Sequence, residues 1–197
     1  MTRARPYNRD VALDAAMRLF WKKGYHATSL KDLEDALHMK PGSIYAAFSS
    51  KEALFSAALE RYYRRNKAEF LSGFDGNVSP LGKMVDYLRY LGQNPAEDPE
   101  CRACMLVKTL LSATPDEDAI ADQARGYLDE LKGDFATVFE TAKAAGELPA
   151  DLDVKRLARR YQSEVMTLRI EAHRGTNGED LADLADEAAR SFEQLRI

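Results

Sequence analysis

Residues 28–51 read TSLKDLEDALHMKPGSIYAAFSSK, which predicts two short helices joined by a tight turn. Ser29 is a suitable cap for the first helix. Histidine tolerates a left-handed backbone better than most non-glycine residues, so His38 can end that helix. Pro41 suits the first turn of the next helix, because its missing N–H would have no intrahelical partner there. Apolar residues of the first helix recur on one face, at Leu30, Leu33, Ala36 and Leu37.

The second short helix has one apolar face and one face of small residues and a tyrosine. Ile44 and Phe48 are expected to point inward, which leaves the opposite face exposed. A third helix should follow at once, capped by Ser49 or Ser50, with Glu52 placed to complete a capping box with Ser49. A helix–turn–helix of this kind can bring its second helix to the DNA backbone and into a major groove. The residues left outside are Gly42, Ser43, Tyr45 and Ala47.

Several short motifs in this region resemble the DNA-binding signature of TetR/AcrR-type bacterial transcriptional regulators. The resemblance by motif covers residues 11–54, and the later chain is similar to the family only in helical layout and length. His38 stands where the family usually has a turn glycine, and Ala46-Ala47 stand where many relatives carry larger base-reading side chains. The matching motifs are Gly24-Tyr25, Ala27-Thr28-Ser29-Leu30, Gly42-Ser43-Ile44-Tyr45, Phe48 and Lys51-Glu52-Ala53-Leu54.

The predicted fold is all-α, since helical spacing of apolar residues continues along the chain and no segment alternates with period two. A three-helix DNA-binding domain is expected at residues 1–50, with a flexible arm at 1–10. A helical effector-binding and dimerisation domain is expected at 51–197, in which 51–72 form a linking helix. The resemblance further implies a homodimeric repressor that a small-molecule inducer releases from a palindromic operator.

Charge is divided unevenly along the 197 residues. Residues 1–67 carry a net charge of +6 and the remainder −10. A basic end on an acidic body suits a protein that binds a polyanion through one face. The division argues against a helical enzyme or cofactor carrier that holds a helix–turn–helix by chance.

The composition is that of a cytoplasmic globular protein, with 45% hydrophobic and 30% charged residues. Two cysteines cannot form a disulfide framework, which favours a reducing compartment. The basic N-terminus lacks the apolar run of a secretory signal, and no stretch reaches the roughly 20 apolar residues of a membrane helix. No membrane partner is therefore expected.

Lys51 is the strongest single candidate for a DNA contact. Its ammonium and the N–H groups at a helix start both favour a phosphate, and in the proteins that this chain resembles this lysine contacts the backbone. Tyr45 is expected to reach a phosphate or a base edge, with simple packing as the alternative. The full predicted set is Thr28, Ser29, Lys40, Pro41, Gly42, Ser43, Tyr45, Ala46, Ala47 and Lys51.

Aromatic and polar residues of the middle helices are candidates to line an effector cavity. Such a stripe is also typical of a packed core, so only part of the set is expected to face a ligand. The alternative is a DNA-binding regulator controlled by a partner protein or by cysteine oxidation. The candidates are Phe70, Phe74, Tyr87, Tyr90, Cys104, Lys108, Thr109, Phe135, Phe139, Met166 and Arg169.

Cys101 and Cys104 form a CxxC pair at the predicted start of a short apolar helix, residues 101–113. Such a pair can act as a redox couple. The alternative is that Cys104 is a core residue and Cys101 ends a loop. No second Cys or His pair lies at zinc-ligand spacing. Neither metal, cofactor nor catalytic constellation is predicted, and the protein is not expected to be an enzyme.

The last two predicted helices, at residues 154–173 and 179–195, have wide apolar faces that contain alanine. Such faces allow close helix approach and exceed what one small domain needs. They predict an intermolecular four-helix interface in a homodimer. Its expected residues are Leu157, Tyr161, Val165, Leu168, Leu181, Leu184, Ala188 and Phe192.

Overall fold

The computed structural model describes residues 8–72, 78–96 and 98–197. Within these ranges the chain forms nine α-helices and no strand, which confirms the all-α prediction. Two 3₁₀ turns, Pro99–Cys101 and Pro115–Glu117, precede the sixth and seventh helices. The helices are α1 Arg9–Lys23, α2 Leu30–Leu37, α3 Pro41–Phe48, α4 Lys51–Ser72, α5 Pro80–Gln93, α6 Met105–Ser112, α7 Asp118–Ala144, α8 Val154–Arg174 and α9 Gly178–Glu193.

Side-chain caps explain where the first helices begin. The Asn8 carboxamide oxygen accepts hydrogen bonds from the backbone N–H groups of Asp10 and Val11, at 3.0 and 3.3 Å, so α1 starts at Arg9. The predicted arm at residues 1–10 therefore ends before Arg9, and residues 1–7 lie outside the described chain. Ser50, rather than Ser49, caps α4, since its hydroxyl accepts from the Ala53 N–H at 2.9 Å.

The helices form two compact units. The first extends to Arg65 and includes the segment Met105–Ala124; the second comprises Asn66–Cys104 and Arg125–Ile197. Helices α4 and α7 each contribute residues to both units. The units therefore differ from the predicted domains, which divide the chain once, at residue 50.

The first unit has an aromatic interior where α1 and α4 meet. Phe20 and Phe55 pack edge to face with ring centroids 4.9 Å apart, and both are almost completely buried. Trp21 packs in the same way on Tyr62, also at 4.9 Å. Such edge-to-face pairs add about 0.5–1.5 kcal/mol beyond the burial of their surface. This core fixes the platform on which α2 and α3 lie.

The second unit is centred on Tyr161 of α8. Its fully buried ring contacts Phe135, Phe139 and Phe192 at centroid distances of 4.9, 5.5 and 5.2 Å. Its hydroxyl donates a 2.7 Å hydrogen bond to the Met84 carbonyl, which satisfies the one polar group in this apolar centre. Burial raises the pKa of Tyr161 well above its usual value, so the hydroxyl stays protonated.

Helices α5 and α9 approach each other closely at Gly92. A Cβ atom built on this glycine would lie 2.3 Å from the Ala185 Cβ and 3.0 Å from the Leu181 carbonyl oxygen. No other residue fits this crossing without moving a backbone. Gly92, in the last turn of α5, is therefore required by packing.

The short apolar helix differs from its prediction. It begins at Met105, so Cys101 falls in a 3₁₀ turn and Cys104 directly precedes α6. The helix is only partly buried, since Leu111 is 84% exposed. A capping box between Thr114 and Glu117 leads into α7. Among the described residues, no helix combines the length and apolar character needed to cross a lipid bilayer.

Candidate functional site

The turn between α2 and α3 has the geometry of a helix–turn–helix. His38 takes the left-handed conformation, with φ 52° and ψ 39°, and its N–H donates to the Glu34 carbonyl. Pro41 occupies the first turn of α3. The Ser43 and Ile44 N–H groups both donate to the Lys40 carbonyl, at 2.9 and 3.1 Å. A histidine therefore fills the conformation that glycine would adopt most easily.

Helix α3 buries one face and presents the other. Ile44 and Phe48 are 1% and 4% exposed, and these two side chains anchor the helix in the first unit. Tyr45 is 44% exposed, so its ring and hydroxyl can meet another molecule. Of the other predicted DNA contacts, Lys40, Gly42, Ser43 and Ala46 are exposed, while Pro41 and Ala47 are partly exposed.

Lys51 begins α4 beside this surface. Its ammonium lies 4.5 Å from the centre of the Tyr25 ring, a cation–π contact that holds the side chain in one direction. Burial lowers the pKa of Lys51, and the nearby Glu117 carboxylate opposes this effect. The structure thus presents a positioned ammonium at a helix N-terminus, next to the exposed face of α3.

The two hydroxyls predicted to contact DNA at the start of α2 differ. Ser29 is exposed and forms a capping box with Asp32, in which its hydroxyl accepts from the Asp32 N–H at 3.1 Å. Thr28 is completely buried, and its hydroxyl donates to the Gly24 carbonyl at 2.7 Å. This corrects the prediction for Thr28: its side chain stabilises the turn after α1 and is not available at the surface.

Arg9 is a candidate that the sequence analysis missed. Its guanidinium lies 5.1 Å from the centre of the Phe48 ring, at the end of α3, while the residue stays exposed. A cation placed there adds to the charge around the exposed face of α3. The signal in the sequence was the run of basic residues before α1, which was assigned to a flexible arm.

Three contacts fasten α1 and the turn after it to other segments of the first unit. Arg61 of α4 holds Asp14 of α1 through two hydrogen bonds of 2.9 and 2.8 Å. These bonds lower the pKa of Asp14. Lys108 of α6 donates to the Trp21 carbonyl at 2.6 Å, near the end of α1. His26 lies 3.1 Å from a Glu117 oxygen.

The predicted effector residues are divided between the two units. Lys108 and Thr109 belong to the first unit, and the other described residues of the set belong to the second. Phe70, Tyr87, Phe135 and Phe139 lie in the packed core of the second unit. Tyr90 is 41% exposed, whereas Cys104 is buried and Met166 and Arg169 are partly buried. Phe74 lies outside the described residues.

Polar groups surround one edge of the aromatic core in the second unit. Arg169 donates to the Asn66 carboxamide oxygen at 2.8 Å, and the Tyr90 hydroxyl donates to Glu69 at 3.0 Å. Burial raises the pKa of Tyr87, and Arg169 acts in the opposite direction. Tyr87, Tyr90 and Arg169 thus combine rings with hydrogen-bonding groups, as a site for a mixed polar and apolar ligand would require.

Both cysteines are reduced and buried, with Cys101 7% and Cys104 6% exposed. Residues 102 and 103 separate the two cysteines, between the 3₁₀ turn and α6. The cysteines are therefore not one turn apart on a helix, as predicted. Within the described ranges, no group of three or more His, Cys, Asp or Glu side chains could hold a metal ion.

The structure corrects the predicted dimer interface. Seven of its eight residues are buried inside the second unit of a single chain, where a partner cannot touch them, and only Leu184 is partly exposed. Their apolar stripes meet each other and α5. The buried seven are Leu157, Tyr161, Val165, Leu168, Leu181, Ala188 and Phe192.

This arrangement is that of a helix–turn–helix DNA-binding protein. A family model described as "Bacterial regulatory proteins, tetR family" matches residues 12–58. The HTH-type transcriptional repressor ComR of Escherichia coli K12 is 31% identical over 197 residues, covering 98% of this chain and 94% of ComR. The protein belongs to the TetR family of transcriptional regulators.

Two further relatives agree with this assignment. The HTH-type transcriptional repressor BdcR of E. coli K12 is 33% identical over 61% of each chain. A solved structure of the TetR family regulator CifR, a cysteine mutant complexed with 26 bp double-strand operator DNA, superposes with a TM-score of 0.87. It is 32% identical and covers 96% of this chain and 98% of its own. The protein is therefore a DNA-binding transcriptional regulator, which confirms that it is not an enzyme.

Proposed function

We propose that the protein is a cytoplasmic repressor that binds a palindromic operator as a homodimer and releases it when a small molecule binds. The observation that carries the proposal is the exposed face of α3 beside the positioned ammonium of Lys51. CifR, with 32% identity over nearly the whole chain, has been solved on operator DNA. The relatives ComR and BdcR are named as repressors.

Each exposed residue of this surface has a specific role in the proposed complex. Tyr45 enters the major groove, and the small residues Gly42, Ser43, Ala46 and Ala47 let α3 approach the bases closely. Lys51 and Arg9 contact phosphates and fix the register without reading sequence. Lys40, Pro41 and Ser29 lie at the edge of the surface. Thr28 is left out because it is buried.

The homodimer sets two α3 helices about 34 Å apart, which matches successive major grooves of a palindrome. The second chain is expected to cover the outer surfaces of α8 and α9. Ile170 of α8 is 53% exposed and Leu184 of α9 is partly exposed, so both are available to a partner.

The effector acts by binding one of two states more tightly. The polar groups beside the aromatic core of the second unit, at Tyr87, Tyr90 and Arg169, form the proposed site. Helix α4 contributes residues 51–65 to the first unit and 66–72 to the second, and Asn66 is the partner of Arg169. A ligand that changes this pair acts directly on the helix that Lys51 begins.

Control by cysteine oxidation is the alternative, and burial weighs against it, because buried structural thiols react slowly. The double variant Cys101→Ala/Cys104→Ala separates the two routes. Operator binding would be measured with and without a mild oxidant. A response in the parent that the variant lacks would support cysteine control.

The proposal is tested with Lys51→Ala on a DNA fragment selected from the source genome. The variant should bind all sequences more weakly than the parent, and the slope of log affinity against log salt should fall by about one unit. Fluorescence anisotropy at several salt concentrations gives both quantities. Lys132→Ala, on α7 in the second unit, is the matched control and should keep the parent's slope. Equal slopes for Lys51→Ala and the parent would contradict the phosphate contact.

A further inference from the structure

The first turns of α8 and α9 carry opposite charges. Residues 154–163 contain four basic and no acidic residues, whereas residues 178–189 contain five acidic and no basic ones. Both segments belong to the second unit. The basic patch consists of the exposed residues Lys155, Arg156 and Arg159, and the acidic patch consists of the exposed residues Glu179, Asp180 and Asp183.

The basic patch lies at the end of α8 that favours negative charge. A helix N-terminus carries a partial positive charge, which stabilises acidic residues and destabilises basic ones in the first turn. Lys155 and Arg156 occupy this turn, which contains no acidic residue, while Asp153 caps it by accepting the Arg156 N–H at 3.1 Å. Within the part of the chain that the structure describes, no carboxylate forms an ion pair with the three basic side chains. The unfavourable charge is offset if another, anionic surface covers the patch.

The two patches of one chain are too far apart to neutralise each other. Helices α8 and α9 are antiparallel, since Arg160 near the start of α8 donates to the Ser191 hydroxyl near the end of α9 at 2.8 Å. Counted from this contact at about 1.5 Å per residue, Arg156 and Asp180 lie about 22 Å apart along the helices. Surface charges at this separation are largely screened, because the Debye length at physiological ionic strength is about 8 Å. Pairing of the two patches therefore needs a second molecule.

Exposed apolar side chains lie on the same helix faces as the two patches. Ile170 is 53% exposed and follows Arg159 by about three helical turns, so both point the same way from α8. Leu184 is partly exposed and follows Asp180 by about one turn on α9. An interface over this surface would combine apolar contacts with a charged rim, as protein interfaces usually do.

We propose that the basic patch of one chain pairs with the acidic patch of a second copy, twice across a twofold axis. This pairing rests on the proposed homodimer and specifies its orientation. A twofold axis between the two patches turns the shared surface end for end, so each basic patch faces an acidic one. In the opposite orientation like charges would face each other, which disfavours that arrangement and also disfavours pairing with chains of a different charge pattern.

Charge reversal of each patch tests the pairing with the full chain. Arg156→Glu/Arg159→Glu should dimerise at least about tenfold more weakly than the parent, and so should Asp180→Lys/Asp183→Lys, because like charges then meet at both ends of the interface. Mixing the two variants should restore a dimer of about the parent's affinity, since every patch again faces its opposite. Analytical ultracentrifugation gives the dissociation constants, and native mass spectrometry identifies the mixed dimer by its mass.

Controls separate this pairing from a general effect of charge. Glu140→Lys/Asp151→Lys makes the same change of charge elsewhere in the second unit and should dimerise as the parent does. The urea midpoint of each variant checks its folding, and the single changes Arg159→Glu and Asp183→Lys replace any double variant that does not fold. A monomeric parent would contradict the proposed homodimer and the pairing with it. A dimeric parent whose variants dimerise equally well, or whose weakened variants form no mixed dimer, would contradict the pairing alone.

Discussion

His38 has a left-handed backbone conformation in the turn between α2 and α3. A left-handed conformation costs an L-residue roughly 1–2 kcal/mol, and glycine pays only about 0.5–1 kcal/mol in extra chain entropy. His38→Gly should therefore raise the free energy of unfolding by up to about 1 kcal/mol. His38→Val should lower it by about 1–2 kcal/mol, because a β-branched side chain is a genuine outlier at φ 52°.

Urea unfolding followed by the fluorescence of Trp21, the single tryptophan, measures these differences. His38→Asn is the control, since asparagine also tolerates the left-handed region, and it should stay close to the parent. A valine variant as stable as the parent would show that the turn is relaxed by other means.

Backbone preferences at the turn could be inferred from residue types, whereas side-chain directions could not. His38 and Pro41 have intrinsic preferences that the fold then uses, so the turn and both helices follow from the sequence. Thr28 has no such preference. Its hydroxyl could face water or the Gly24 carbonyl, and the choice depends on how α1 ends. Arg9 was missed for the same reason, because its position over Phe48 requires the tertiary packing of α1 on α3.

At the scale of the helices, the crossing of α5 and α9 predicts that an alanine at Gly92 destabilises the protein, whereas an alanine at a glycine with free space around it stabilises it. Gly92→Ala forces a Cβ to within 2.3 Å of Ala185, and such overpacking typically costs 1–3 kcal/mol. The better helix propensity of alanine returns only about 1 kcal/mol. Net destabilisation of about 1–2 kcal/mol is expected, measured as a shift of the urea midpoint.

Gly133 in α7 supplies the control. An added Cβ there meets no atom within 4 Å, so Gly133→Ala should stabilise the protein by up to about 1 kcal/mol through helix propensity alone. If both alanine variants shift the midpoint in the same direction, the close approach at Gly92 does not exist in solution.

The ion pair between α1 and α4 predicts a pH dependence. Hydrogen bonds from Arg61 hold the folded pKa of Asp14 below its usual 3.8, so the pair stabilises the protein above that value and the stabilisation is lost as the pH falls through the folded pKa. At pH 7 the difference between the parent and Asp14→Asn should be at most about 1 kcal/mol, because the pair is partly exposed. Thermal unfolding from pH 7 to about pH 2 should show a constant difference between the two proteins down to about pH 4 and a shrinking difference below it. A difference that stays constant over the whole range would mean that the Asp14 charge is not its cause.

Apolar periodicity located the helices well but could not name the partner of each stripe. The faces of α8 and α9 were assigned to a second chain, yet they are buried against each other and α5. A stripe of apolar residues indicates that a helix face is buried. Burial within one chain and burial between two chains produce the same pattern in the sequence. The start of α6 was misplaced because residues 101–104 contain no proline, glycine or capping residue, so nothing in the sequence marked Met105 as the first residue of the helix.

At the scale of the whole molecule, the proposed dimer predicts which surface substitutions separate the chains. Ile170→Glu and Leu184→Glu place charges on the outer surfaces of α8 and α9, where burial without a partner is costly. Both variants should become monomeric in light scattering and lose operator affinity. Leu111→Glu, at an exposed position on α6, is the control for oligomeric state. Persistent dimers in both test variants would place the interface elsewhere.

Helix α6 and the start of α7 also limit which parts of this regulator can be exchanged with those of another regulator. The first unit includes Met105–Ala124, where Lys108 binds the end of α1, Glu117 pairs with His26 and Gln123 donates to the Ser56 carbonyl. A chimera that joins only the first fifty residues to another regulator's body would leave these partners behind. Engineered hybrids with new operator specificity should transplant the discontinuous segment together with the N-terminal one.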